Sequence, residues 1–157
     1  DDKASLFRAV LERRLELIEN VPLVAVESAH EPQMFWAGIK GLGQNVSAAL
    51  REDPALAALM RTIHRETAAR QAAEIPYRAL QSALSRLLEV GQKIGAVRDD
   101  LPVGFQCDIA LDLIASVDRW FSEHASEMSE EDEKSLSETA LEMIIAPFLS
   151  AKATEGP

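Results

Sequence analysis

Residues 103–124, VGFQCDIALDLIASVDRWFSEH, carry Ile109, Leu113, Val117 and Trp120 along one side of a helix, with Ala110, Ile114 and Phe121 beside them. At about 100° per residue these positions sweep roughly 160°, wider than one core-facing stripe requires. The next stretch opens with Ser129 as a capping residue followed by Glu130, Glu131 and Asp132, carboxylates that suit the positive end of a helix dipole. Its apolar residues, Leu136, Leu141, Met143, Ile144, Ile145, Phe148 and Leu149, again cover more than a narrow stripe. Two consecutive helices, each too apolar for one neighbour, predict a second surface to be covered. A four-helix contact between two copies is the simple solution, with Val117, Trp120, Phe121, Leu141, Ile144 and Phe148 at the dimer interface. The other reading makes both helices central in a monomer core.

Working back along the chain, the pattern stays helical. Residues 3–20 repeat Leu6, Val10 and Leu17 beside Phe7, Leu11 and Ile18 at helical spacing, and Asn20 and Pro22 mark the end. Residues 21–33 contain Pro22 and Pro32 with little periodicity and read as a connection. From Met34 to Arg51 the stripe is Phe35, Ile39, Leu42, Val46 and Leu50, interrupted by Gly38, Gly41 and Gly43. Each glycine weakens a helix by ~1 kcal/mol relative to Ala, so close packing by a neighbour or room for a ligand must compensate. Asp53-Pro54 starts a helix reaching about Glu74. After Pro76, Tyr77, Leu80, Leu84, Leu87, Leu88 and Ile94 form the face of another helix, which Gly95 closes before a turn to Pro102. The expected fold is all-α, a bundle of about six helices.

Composition limits the function. The 157 residues carry 16 Lys and Arg against 26 Asp and Glu, a formal charge of −10. Residues 1–98 hold 13 basic and 12 acidic groups, whereas residues 99–157 hold 3 and 14, so the acidic excess belongs to the C-terminal third. Such a chain cannot compete for polyphosphate by counterion release and is itself a poor nucleic-acid binder. Cys107 stands alone, which removes disulfide-stapled scaffolds and suits a reducing cytoplasm. The longest uncharged stretch, Gly41 to Leu50, has ten residues, against the ~18 of a membrane span, so no membrane partner is expected. Asp1 follows neither an initiating Met nor a signal-peptide pattern and reads as an internal point of a longer gene product.

Catalytic and metal signatures are missing. His30, His64 and His124 are far apart, with no H-E-x-x-H pair and no second Cys, so no metal and no cofactor are expected. Gly41-Leu42-Gly43 lies within a helical pattern and is no dinucleotide fingerprint. Cys107 has no His near it in sequence, and no enzyme is expected. One constellation stands out. Leu56, Leu59, Met60 and Ile63 define an apolar face, and His64, Thr67 and Gln71 border it where Leu or Ala would be the dull choice. Polar groups there serve either a structural hydrogen-bond network or a ligand. Only 8 residues are aromatic, and Phe35, Trp36 and Tyr77 all begin helices that could enclose one cavity with Met60.

At this point the residues resemble a family. Asp2-Lys3-Ala4-Ser5-Leu6-Phe7-Arg8-Ala9-Val10-Leu11 is similar to the segment that directly follows the helix-turn-helix in the TetR family of transcriptional regulators. Gly95-Ala96-Val97-Arg98-Asp99-Asp100-Leu101-Pro102 resembles that family's turn between its long central helix and its dimerisation helices, and Asp53-Pro54-Ala55-Leu56 the entry to its sixth helix. The N-terminal segment of roughly 45 residues that would read DNA is absent from the sequence. The resemblance implies an effector-sensing and dimerising domain of a regulator, most often a repressor. Residues 1–20 would be a connecting helix, 21–98 the pocket helices and 103–150 the dimerisation helices. A small, largely apolar effector would sit among Phe35, Ile39, Met60, His64, Thr67, Tyr77, Leu80 and Leu84. Its binding would rotate the helix at residues 3–20 and change the separation of two recognition heads, which must match half-sites about 34 Å apart. DNA would be a partner only through the missing segment. The alternative is a helical protein–protein interaction domain with no pocket.

Overall fold

Pro32 has no backbone N–H to lose and a φ already suited to a first turn, and it opens a helix that runs to Glu52. The computed structural model describes residues 23–53, 74–124 and 127–150. Within them lie α1 (Leu23–Glu27), α2 (Pro32–Glu52), α3 (Glu74–Lys93), α4 (Val103–His124) and α5 (Glu130–Ile145), followed by a 3-10 turn at Ala146–Phe148. Among the described residues there is no strand, only an isolated antiparallel bridge between Val97 and Leu149. The chain is all-α there, as its periodicity predicts. The helix expected at residues 3–20 and most of the one expected at 54–74 lie outside the described residues.

Four boundaries differ from the sequence reading, one of them at α3, which begins at Glu74 with Pro76 inside its first turn rather than after a break at Pro76. The connection at 21–33 contains α1, whose Val26 is buried. α2 begins at Pro32 rather than Met34. The last α-helix stops at Ile145 instead of continuing to Leu149, because Pro147 offers no N–H and its ring crowds the preceding turn. Elsewhere the local signals hold. The side chain of Ser129 accepts a hydrogen bond from the Asp132 N–H at 3.1 Å and caps α5.

α3 packs along α4, α1 along α2, and α5 lies against both α2 and α4. Their shared core gathers Val26, Phe35, Leu87, Leu88, Val97, Leu111 and Phe148, all buried. Two of the three α2 glycines are explained by close approach. A Cβ on Gly38 would stand 2.8 Å from Val26 Cγ2 of α1, and one on Gly43 would stand 2.7 Å from Leu141 Cδ2 of α5. Neighbouring elements therefore fill the space that the missing side chains leave, and this packing offsets the weak helix propensity. Lys40 and Glu142 add an exposed ion pair at 3.2 Å across α2 and α5, worth at most about 1 kcal/mol.

Gly95 ends α3 with φ of +73°, the left-handed conformation that glycine alone adopts without a steric cost. The Ala96 N–H donates to Gly91 O at 2.8 Å and the Gly95 N–H to Gln92 O at 3.1 Å, the paired bonds of a Schellman ending. This reverses the chain and delivers residues 96–102 against the start of α4.

Candidate functional site

The residues assigned to a ligand separate into three groups. Phe35 and Ile39 on α2 and Leu84 on α3 come together, Phe35 fully buried and the other two half-buried against the same core. Phe35 meets the Trp36 ring edge-on at a centroid distance of 5.0 Å, an arrangement that suits the quadrupoles of both rings. Tyr77 and Leu80, one helical turn apart on α3, stand about half exposed. Met60, His64 and Thr67 lie outside the described residues. Of the residues expected to bind a ligand, those that meet are Phe35, Ile39 and Leu84, on one core shared by α2 and α3, and Phe35 is already enclosed by protein atoms.

The residues assigned to an interface between copies divide as well. Trp120 is exposed, and Val117, Phe121, Leu141 and Ile144 are half-buried. Phe148, placed with them on the assumption of a continuous helix, is instead buried in the chain's own core. Pro147 causes this: the 3-10 turn redirects the backbone after Ile145, and the ring of Phe148 swings inward. Around Trp120 an aromatic cluster forms. The His124 ring stacks on it at 4.4 Å and Phe121 meets it edge-on at 5.4 Å. His124 Nδ1 lies 2.8 Å from Trp120 O, and since a carbonyl only accepts, Nδ1–H is the donor.

Several polar residues that the periodicity did not single out organise the turn between α3 and α4. Gln92 Nε2 donates to Arg98 O at 3.1 Å and to Leu101 O at 3.2 Å. Gln106 Nε2 donates to the same two carbonyls, at 2.9 and 3.0 Å. Four amide hydrogens therefore meet the two carbonyls that the turn would otherwise bury unpaired. Gln106 is 1% exposed, and its own Oε1 has no partner. The available signal was its spacing, four residues before the buried Ala110 and thus on the inward face of α4. Cys107, next to it, is buried and donates its S–H to Gln81 O at 3.5 Å, a packing role.

Arg98 closes the turn from outside. Its guanidinium bonds Asp100 through both carboxylate oxygens, at 2.6 and 2.5 Å, and reaches Pro147 O at 3.5 Å. The hydrogen bond from Arg98 holds the Asp100 carboxyl below its ordinary value, with slight burial opposing and the opposite charge reinforcing it. Hydrogen bonding by Asp100 raises Arg98 correspondingly. A lowered carboxylate contributes stability above its unfolded pKa that is lost as pH falls through the folded value. The pair is solvent-exposed, so this contribution is small.

Among the described residues no group of His, Cys, Asp and Glu could hold a metal ion. No helix among them is long and apolar enough to cross a membrane. Comparison with protein-family models, with curated proteins and with solved structures yields no match.

Proposed function

We propose that the chain is the effector-sensing and dimerising domain of a TetR-type transcriptional regulator, a repressor by the family's commonest mode. The carrying observation is the surface of the last two long helices. Phe105, Ile109 and Trp120 of α4 and Leu136 and Met143 of α5 are exposed, up to 70% for Met143. Five of the nine large apolar side chains exposed among the described residues lie on these two adjacent helices; they favour a covering partner, and a second copy supplies one by symmetry. In this reading α4 and α5 form the contact between copies, within a six-helix arrangement of the family type. The Gly95–Pro102 turn leads into them, and α2 and α3 provide the apolar wall of the sensing half. DNA recognition belongs to a helix-turn-helix outside residues 1–157, the setting is cytoplasmic, and no chemistry is catalysed.

One observation favours a second reading. Phe35 is enclosed by the chain itself, as expected of a helical interaction domain with no ligand pocket. A thermal-shift screen with fatty acids, aromatic carboxylic acids and planar polycyclic compounds separates the two. At a hundredfold excess over Kd a true effector stabilises by about 2.7 kcal/mol. For a chain of this length that corresponds to a rise in Tm on the order of 5–10 °C. His64→Ala is expected to weaken that response. If no compound moves Tm and His64→Ala leaves every binding isotherm unchanged, the sensing assignment fails and the interaction domain stands.

A further inference from the structure

The segment after α5 is fastened to the α3–α4 turn by backbone bonds rather than by helix packing. Arg98 N–H donates to Phe148 O at 3.0 Å and Ser150 N–H to Ala96 O at 3.2 Å, framing the Val97–Leu149 bridge. Ala96, Val97, Phe148 and Ser150 are all buried. The same Ala96 carbonyl accepts a second hydrogen bond, from the indole Nε1–H of Trp36 on α2 at 3.2 Å. One oxygen thus joins three parts of the chain: the helix that carries Phe35 and Ile39, the turn into α4, and the continuation of α5.

From this geometry we infer that residues 147–150 act as a latch whose docking on residues 96–98 is controlled by Trp36, so that displacement of α2 is transmitted to the end of α5. Two features make the latch a unit that opens by itself. The backbone bonds at Arg98 and Ser150 and the inserted ring of Phe148 dock it on the turn, whereas each helix is held by its own continuous ladder. Its outer fastening, the Arg98 contact to Pro147 O, is long and exposed. When the indole withdraws, Ala96 O loses one of its two donors and the turn loses its tie to α2. By linkage the effect runs both ways: undocking the segment frees the Trp36 indole by the same coupling. The inference stands on these bonds and does not require an effector.

Hydrogen exchange at single amides tests it. Trp36→Phe keeps an aromatic ring against Phe35 and removes the N–H donor together with part of the indole's packing area. The expected result is at least a tenfold acceleration of exchange at the Arg98 and Ser150 amides, with less than a threefold change at Leu111 in the middle of α4. A uniform acceleration of all three amides, or no change at Ser150, overturns the latch. The reciprocal measurement guards against a variant that fails to fold. In a Trp120→Phe background Trp36 is the single tryptophan, read by excitation at the red edge where Tyr77 does not absorb, and Ser150→Pro removes the N–H that docks the segment. A red-shifted, more quenchable Trp36 emission is expected, and unchanged emission contradicts the coupling.

Discussion

Gly91→Ala is expected to lower stability by about 2 kcal/mol, although Ala is normally favoured over Gly inside a helix by roughly 0.5–1 kcal/mol. The new Cβ would collide with Val97 Cγ2 and lie 2.9 Å from Phe35 Cζ and 3.1 Å from Val97 Cβ. Neither neighbour can retreat. The Val97 N–H is bonded to Gly91 O at 3.0 Å and its backbone is bridged to Leu149, while Phe35 is 1% exposed. Overpacking of a filled core costs typically 1–3 kcal/mol and outweighs the gain in helix propensity. Gly104→Ala is the control, because Gly104 is exposed in the first turn of α4 with nothing within 4 Å of its Cβ position. It is expected to be neutral or up to about 1 kcal/mol stabilising. Urea unfolding of both variants measures the difference as a change in midpoint. A Gly91→Ala protein as stable as the wild type would mean that α2 and the turn do not close on α3 at this point.

Gln106→Glu is expected to be the most damaging single-atom exchange in the described part of the chain. The amide nitrogen that donates to both Arg98 O and Leu101 O becomes an oxygen, in a side chain that is 1% exposed. Ionised, it would point at two carbonyl dipoles; neutral, it has one O–H for two acceptors. A charge left buried without a partner costs about 3–5 kcal/mol. The penalty depends on pH with a definite sign. Burial raises the introduced carboxyl's pKa in the folded state, so above about pH 4.3 the unfolded chain has released a proton that the folded chain still holds. Stability relative to wild type then falls as pH rises, by about 1.4 kcal/mol per unit, until the folded pKa is passed. Gln106→Leu is expected to cost less, since Gln92 still serves both carbonyls and the unpartnered Oε1 is removed. Chemical denaturation between pH 5 and pH 8 distinguishes the two. A pH-independent loss for Gln106→Glu would show that the site is wetter than its burial implies.

What was legible in the sequence was whatever depends on neighbours within a few residues. The bounds of α4, the Ser129 cap and the ending at Gly95 follow from periodicity and capping chemistry, and each is observed where that chemistry places it. α1 escaped because LVAVE is too short to show a helical period between Pro22 and Pro32. Continuing the α5 stripe through Pro147 puts Phe148 on the outer surface, but there the backbone changes its angle per residue and the ring turns inward. The duties of Gln92, Gln106 and Trp36 are set by carbonyls that only the folded turn brings near, so no spacing rule could assign them. Of the residues expected to bind a ligand, Phe35, Ile39 and Leu84 could be grouped because their core-facing stripes converge on one core. Tyr77 and Leu80 satisfy the same helical spacing, yet stand at the surface, since periodicity gives a face without saying how far the partner extends along it.

The last two helices are too apolar for one neighbour, and the proposed dimer rests on that surface. Regulators that read paired half-sites act as dimers, and the exposed Trp120 and Met143 belong to the surface proposed to make that contact. Static light scattering of the chain over a micromolar concentration series tests the claim most directly. The expected result is a particle of twice the 17.2 kDa chain mass, reduced to a single chain when Trp120→Glu and Met143→Glu are combined. A concentration-independent 17.2 kDa particle for the unmodified chain would contradict it.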